Sequence, residues 1–257
     1  MKWEGERRML KTVKYELMRN RLTLLILACI LGGAELIFLL AGSPGSIVLG
    51  LMLLYAGGMI SYFTIWLMGL LSFSRDIREK SGYMIFLTPV SPYKIIFSKM
   101  LTGLIELAVA AIALILLAVL DMGIINARYG RELSFLRTFA RMVNTTPEEV
   151  WAVVIVLLIS GVFITLTVYS IAYLGSAIAA TATQSKGGRR GLSIVFVILI
   201  LIVYRAIADS IPELDVSVKS HFFREFLSKI PQLIFDILVA TGCTLGTGYL
   251  MDKKISL

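Results

Sequence analysis

Between Ser46 and Phe73 the chain reads SIVLGLMLLYAGGMISYFTIWLMGLLSF, 28 residues without one Asp, Glu, Lys or Arg. Wound as a helix at about 1.5 Å per residue, this stretch outruns the ~30 Å hydrocarbon core of a bilayer. Peptide groups in lipid can bond only to one another, so a helix is the form it must take. Five further apolar blocks, each nearly free of charge, flank it: Leu22 to Ala41, Met100 to Leu120, Val150 to Gln184, Leu192 to Ala208 and Leu233 to Met251. Together they predict an all-α polytopic membrane protein with six transmembrane helices. The composition of the 257 residues, 58% hydrophobic and 16% charged, excludes an ordinary soluble domain. Because the first block follows 21 residues of charged sequence and lacks an A-x-A-like site, it reads as a membrane helix and not as a cleavable signal peptide.

Six spans put both termini on one side, and the basic residues say which. Residues 1–21, 74–99 and 185–191, with the tail Lys253 and Lys254, hold 17 of the 25 Lys and Arg against six acidic residues. That face is predicted to be cytoplasmic, in a bacterial inner membrane, with its charge turned to anionic headgroups. Nucleic acid is not an expected partner, since no segment is long enough for a separate basic domain. The loop 121–149 strains the assignment through Arg128, Arg131, Arg137 and Arg141. In Glu132 to Val143, however, Leu133, Leu136, Phe139, Ala140 and Val143 recur at helical spacing, as in a helix lying at the outer headgroup layer.

Little in the sequence points to an enzyme. No G-x-x-x-x-G-K-[ST] phosphate loop occurs, and Lys186-Gly187-Gly188-Arg189-Arg190 reads as a short basic turn between two spans. Metalloprotease and serine-hydrolase motifs are missing as well. Cys29 and Cys243 both fall inside predicted spans as structural thiols, and His221 is the single histidine, so no metal or cofactor is expected on this chain.

Two segments carry more information. In residues 3–19, Trp3, Leu10, Val13 and Leu17 line one helical face while Arg7, Arg8, Lys11, Lys14 and Arg19 occupy others, which predicts an amphipathic interfacial helix entering the membrane at an elbow. The connection Ser74 to Lys99 reads SRDIREKSGYMIFLTPVSPYKIIFSK and is too long for a simple hairpin. Ser74 is placed to cap a short charged helix over 75–87 with Ile77, Tyr83, Met84, Phe86 and Leu87 as its apolar positions. The T-P-V-S-P turn at Thr88 to Pro92 then breaks it, and Tyr93 and Lys94 restart the helix of the third span.

At these residues the sequence resembles the membrane subunits of ABC-2 type exporters, the type V or G-subfamily fold. The likeness spans essentially the whole chain: the connecting helix 3–19, six spans, a coupling helix at 75–87 followed by L-T-P-V-S-P-Y-K at Leu87 to Lys94, and short outer-leaflet helices over 211–231, where Phe222, Phe223, Phe226, Leu227 and Ile230 share a face. It implies a single transmembrane domain that binds no nucleotide. Two copies of a separate ATPase, holding ATP and magnesium, would dock at Arg75, Asp76, Ile77, Arg78, Glu79, Tyr83, Met84, Phe86 and Leu87. A second membrane subunit, identical or homologous, would complete the pathway. Tyr55, Met59, Tyr62, Phe63 and Trp66 in the second span and Ile198 and Ile202 in the fifth would line its cavity, or serve as helix packing. The implied cargo is hydrophobic or amphipathic, most simply a peptide, as in peptide-toxin exporters of the phenol-soluble modulin kind.

Four charges lie inside the spans. Glu35 and Arg205 each sit 13 residues into a span, roughly 20 Å deep. They are expected to pair with each other, within or between subunits, with Asp236 as competing partner for Arg205, or to snorkel separately. Glu106, two helical turns after Lys99 on the same face, fits a packing contact or a snorkelling residue better than a proton relay. The rival function is an ATP-independent one, a secondary transporter or an immunity or scaffold protein, although no inverted repeat is visible.

Overall fold

The computed structural model describes residues 2–78, 91–129, 134–142, 146, 148–183, 185–212, 214 and 221–253. These residues form helices α1 (Lys2–Leu40), α2 (Pro44–Arg78), α3 (Pro92–Tyr129), α4 (Phe135–Met142), α5 (Val150–Ala182), α6 (Lys186–Ala208), α7 (His221–Ser228) and α8 (Ile230–Lys253), with no strand among the described residues. Six stretches are long and apolar enough to cross a membrane: Leu10–Leu40, Gly45–Ile77, Pro92–Arg128, Val150–Ala182, Gly187–Ala208 and Ile230–Lys253. The chain is a multi-pass, all-helical membrane protein.

Helix starts follow their local chemistry. At α2, Ser43 accepts the amide of Ser46 on its hydroxyl (3.3 Å) and Pro44 takes the first helical position, where its missing N–H costs nothing. Pro92 opens α3 in the same way, with the Ser91 carbonyl accepting the amide of Lys94 at 2.9 Å. The expected turn at Lys186 to Arg190 is instead the first turn of α6: Ser185 caps it through the Gly188 amide (3.1 Å). Glycine suits that place, since a Cβ on Gly188 would stand 2.6 Å from the capping oxygen.

α1 departs from expectation too. It runs unbroken from Lys2 to Leu40, so the charged flank and the first span form one helix with no interruption where an elbow was expected. From Leu10 to Leu31 there is neither Gly nor Pro, and the Leu, Lys, Met and Arg of the junction are strong helix formers. The helix of Phe135–Met142 falls inside the expected surface segment, with Arg137 and Arg141 exposed and Ala140 buried. In the region 211–231, α7 is a two-turn helix whose last residue, Ser228, accepts the amide of Leu214 at 3.0 Å.

Two compact units make up the fold. The first holds α1, α2 through Phe73 and α3 through Leu114. In it α1 and α2 form a hairpin over three connecting residues, and Gly50 lets the backbones meet: a Cβ there would lie 2.7 Å from the Phe38 Cα. The second unit holds the end of α2 from Ser74, α3 from Ile115, and α4 to α8. Its core is α5, whose Tyr169, Ile171, Tyr173, Ala177 and Ala179 are sealed from solvent and which packs on both α6 and α8. Gly175 allows the close approach of α6, because a Cβ there would lie 2.6 Å from the Val197 side chain and 3.0 Å from its backbone nitrogen.

Gly→Ala in an open helix interior stabilises by roughly 0.5–1 kcal/mol, so glycines in contact and glycines in open space should respond with opposite signs. Gly50→Ala and Gly175→Ala are expected to destabilise by about 1–3 kcal/mol through overpacking, whereas Gly161→Ala, with nothing within 4 Å, stabilises or leaves stability unchanged. Thermal unfolding of the purified protein in detergent, followed by tryptophan fluorescence, checks the sign of each.

Candidate functional site

Most hydroxyls of the spans bond back into their own helix, so polar side chains that reach across to another helix stand out. One such group joins α1 to α3. Glu16 and Asn20, one turn apart on α1, and Lys99 and Glu106, two turns apart on α3, are all buried. The Lys99 ammonium meets a Glu16 carboxylate oxygen at 2.5 Å, and Asn20 donates its amide to Glu106 at 2.8 Å. Arg19 supplies a second cation to Glu16 from the solvent side. Glu106 is therefore a contact between helices. Sequence reading missed Glu16, Asn20 and Lys99 as a group, although Glu16 is the sole acidic residue between Leu10 and Arg21.

A second group joins α5, α6 and α8. The Tyr204 hydroxyl donates to an Asp236 carboxylate oxygen at 2.6 Å, while the Tyr204 ring stacks on Phe235 with centroids 5.8 Å apart. Thr167 on α5 donates to the Asp236 carbonyl at 3.1 Å. Further along the same helices, Ser170 bonds Thr244 at 3.3 Å and Ser176 bonds Ser193 at 2.9 Å. Asp236 is thus held by Tyr204, not by Arg205. The Arg205 guanidinium, on the exposed side of α6, bonds Asp209 one turn on at 3.1 Å. An i,i+4 partner on its own helix needs no other element to reach it. Glu35, half-buried on α1, keeps one carboxylate oxygen buried without a hydrogen-bond partner among the described residues.

The expected docking element is described only at its start. Arg75, Asp76, Ile77 and Arg78 continue α2 without a break, so Ser74 lies inside that helix and caps nothing. Asp76 is 2% exposed. The Ile77 carbonyl receives Arg189 at 3.4 Å, and the same guanidinium bonds the Thr183 carbonyl beyond α5 at 2.9 Å. Glu79, Tyr83, Met84, Phe86 and Leu87 lie outside the described residues. Of the expected cavity residues, Tyr55, Met59, Tyr62 and Phe63 are exposed along one side of α2, with Phe63 stacked on Trp66 at 5.9 Å, and Ile198 and Ile202 are exposed on α6. No cluster of His, Cys, Asp and Glu able to hold a metal occurs among the described residues.

Comparison with known proteins finds no match: no family model, no curated protein and no solved structure is similar to this chain.

Tyr204→Phe removes one hydrogen bond to a carboxylate inside the helix bundle and is expected to destabilise by about 1–3 kcal/mol. Asp236→Asn should cost a similar amount, with the double variant little worse than either single one. Arg205→Ala breaks only an exposed pair and is expected to stay within about 0.5 kcal/mol of wild type. Denaturation in detergent across the four variants reads all three expectations.

Proposed function

We propose that the protein is the transmembrane permease subunit of an ATP-binding cassette exporter of the ABC-2 type, moving a hydrophobic or amphipathic cargo, most simply a peptide, out of the cell. The observation that carries this reading is the charged junction from Arg75 to Lys99. It connects two helices of 35 and 38 residues, which at about 1.5 Å per residue exceed 50 Å and so outrun the bilayer. Charged residues at the near ends of both helices suit a position in water, on the face that holds most Lys and Arg. A connection anchored this way is suited to receive force from another protein. The chain has no phosphate loop, so ATP and magnesium would be held by two copies of a partner ATPase, docked through Arg75, Asp76, Ile77, Arg78, Glu79, Tyr83, Met84, Phe86 and Leu87. Exposed aromatic and methionine side chains on α2, with Ile198 and Ile202 on α6, suit a wall shared with a second membrane subunit. Both termini are placed in the cytoplasm of a bacterial cell, the protein in its inner membrane.

The rival reading, an ATP-independent transporter, draws on Glu35 and Asp236, two carboxylates inside spans. Purification in mild detergent separates the two. The exporter reading expects a roughly equimolar ATPase chain to co-purify and to be lost when Tyr83, Met84 and Phe86 are changed to Asp. Absence of that chain, or its retention by the triple variant, overturns the reading. For the topology, a green fluorescent protein fused after Leu257 should fluoresce, and alkaline phosphatase fused at the same place should be inactive.

A further inference from the structure

α1 and α3 are fastened at two heights. Glu16 and Asn20 are four residues apart on α1, whereas Lys99 and Glu106 are seven apart on α3, so the ion pair and the amide bond lie at separate points along the contact. One bond between two helices leaves a pivot, while two at different heights fix both rotation and sliding. The cost of misalignment is high. Lys99 is 2% exposed and Glu16 5%, and a buried lysine or glutamate is almost never found unpaired. Sliding α1 past α3 by one turn, about 5.4 Å, would pull the Lys99 ammonium away from the Glu16 carboxylate inside a buried contact. Apolar side chains alone would tolerate that slip, since one leucine replaces another along such a helix. Buried ion pairs add little net stability against apolar packing, and their best-attested use is to select one register. The surrounding α3 residues suit a fixed contact: Ile95, Ile96 and Ser98 are sealed from solvent, and Ser98 and Thr102 satisfy their hydroxyls on the carbonyls of Ile95 and Ser98.

We propose that Glu16, Asn20, Lys99 and Glu106 form a clasp that locks α1 to α3 in one register, so that the two helices move as a single body. The flank of α1 is then no independent surface helix but a rigid companion of the helix that follows residues 79–91. If an ATPase pushes on that connection, α1 is carried with α3. This last consequence rests on the exporter reading; the clasp does not.

The experiment measures the spread of distances between spin labels at Tyr15→Cys and Phe97→Cys, both exposed, by double electron–electron resonance. The background carries Cys29→Ser and Cys243→Ala, and the protein sits in lipid nanodiscs without any partner. A single narrow distribution is expected, its width roughly doubling in Glu16→Gln and in Lys99→Met and growing no further in the double variant, because each single change already breaks the Glu16–Lys99 bond between the two helices. Lys99→Arg should keep the width narrow. Unchanged widths in the singles, or broadening that adds in the double, would overturn the clasp. Should a Glu16 or Lys99 variant fail to accumulate, Asn20→Ala opens the other fastening: broadening there supports the clasp, and a distribution as narrow as wild type refutes it. A locked pair of labels together with no co-purifying ATPase would leave the clasp standing and remove the exporter reading.

Discussion

A peptide group in hydrocarbon finds no water to bond to, and the rest of this fold depends on that constraint. It makes every span a helix, and it sets the behaviour of the polar side chains the helices carry. Thr64, Thr102, Thr241 and Thr247 each donate to the carbonyl four residues earlier, at 2.7–2.8 Å, and so satisfy themselves without a neighbour. Association between helices is then left to close packing and to the few polar groups that reach across. Gly50 against Phe38 and Gly175 against Val197 supply the first; Glu16 with Lys99, Asn20 with Glu106, and Tyr204 with Asp236 supply the second.

The spans were legible because a run such as 46–73 has one physical solution. Helix ends were less so. Ser43-Pro44 and Ser185 are ordinary start signals, yet the two glycines after Lys186 suggested a turn, and the capping bond from Gly188 was needed to see the first turn of a helix. The same difficulty hid the length of α1. Amphipathic spacing in residues 3–19 describes a helix with two faces and is silent on whether that helix ends before the membrane. Only the lack of any Gly or Pro from Leu10 to Leu31 hinted that it would not.

Functional side chains were harder still, for a reason of distance along the chain. Glu16 and Lys99 are 83 residues apart, Asn20 and Glu106 are 86 apart, and no spacing rule links such positions. Charge inside a span marked Glu106 and Asp236 as residues in need of a partner, but not the partner each found. Arg205 was the opposite case. Its partner Asp209 lies one turn away on the same helix, and was overlooked because the apolar block ends at Ala208 and Asp209 was counted with the loop.

Helix length adds a final step. At about 1.5 Å per residue, α6 and α8, with 23 and 24 residues, are close to bilayer length, whereas α1, with 39, is nearly twice that. Excess length is absorbed either by tilt or by projection into water, and composition decides between them. The excess of α1 is its first 20 residues, dense in Lys, Arg and Glu, for which tilting into hydrocarbon would cost several kcal/mol per charge. Composition therefore suits that segment to projection. A projecting helix with no partner would fray and swing, since isolated helices of this length are marginal in water. Its contacts hold it: Val13, Glu16 and Asn20 are buried, and Glu16 is fixed to Lys99 near the start of α3. Projection supplies reach and the buried pair supplies stiffness, and a helix needs both before a push at one end can be felt at the other.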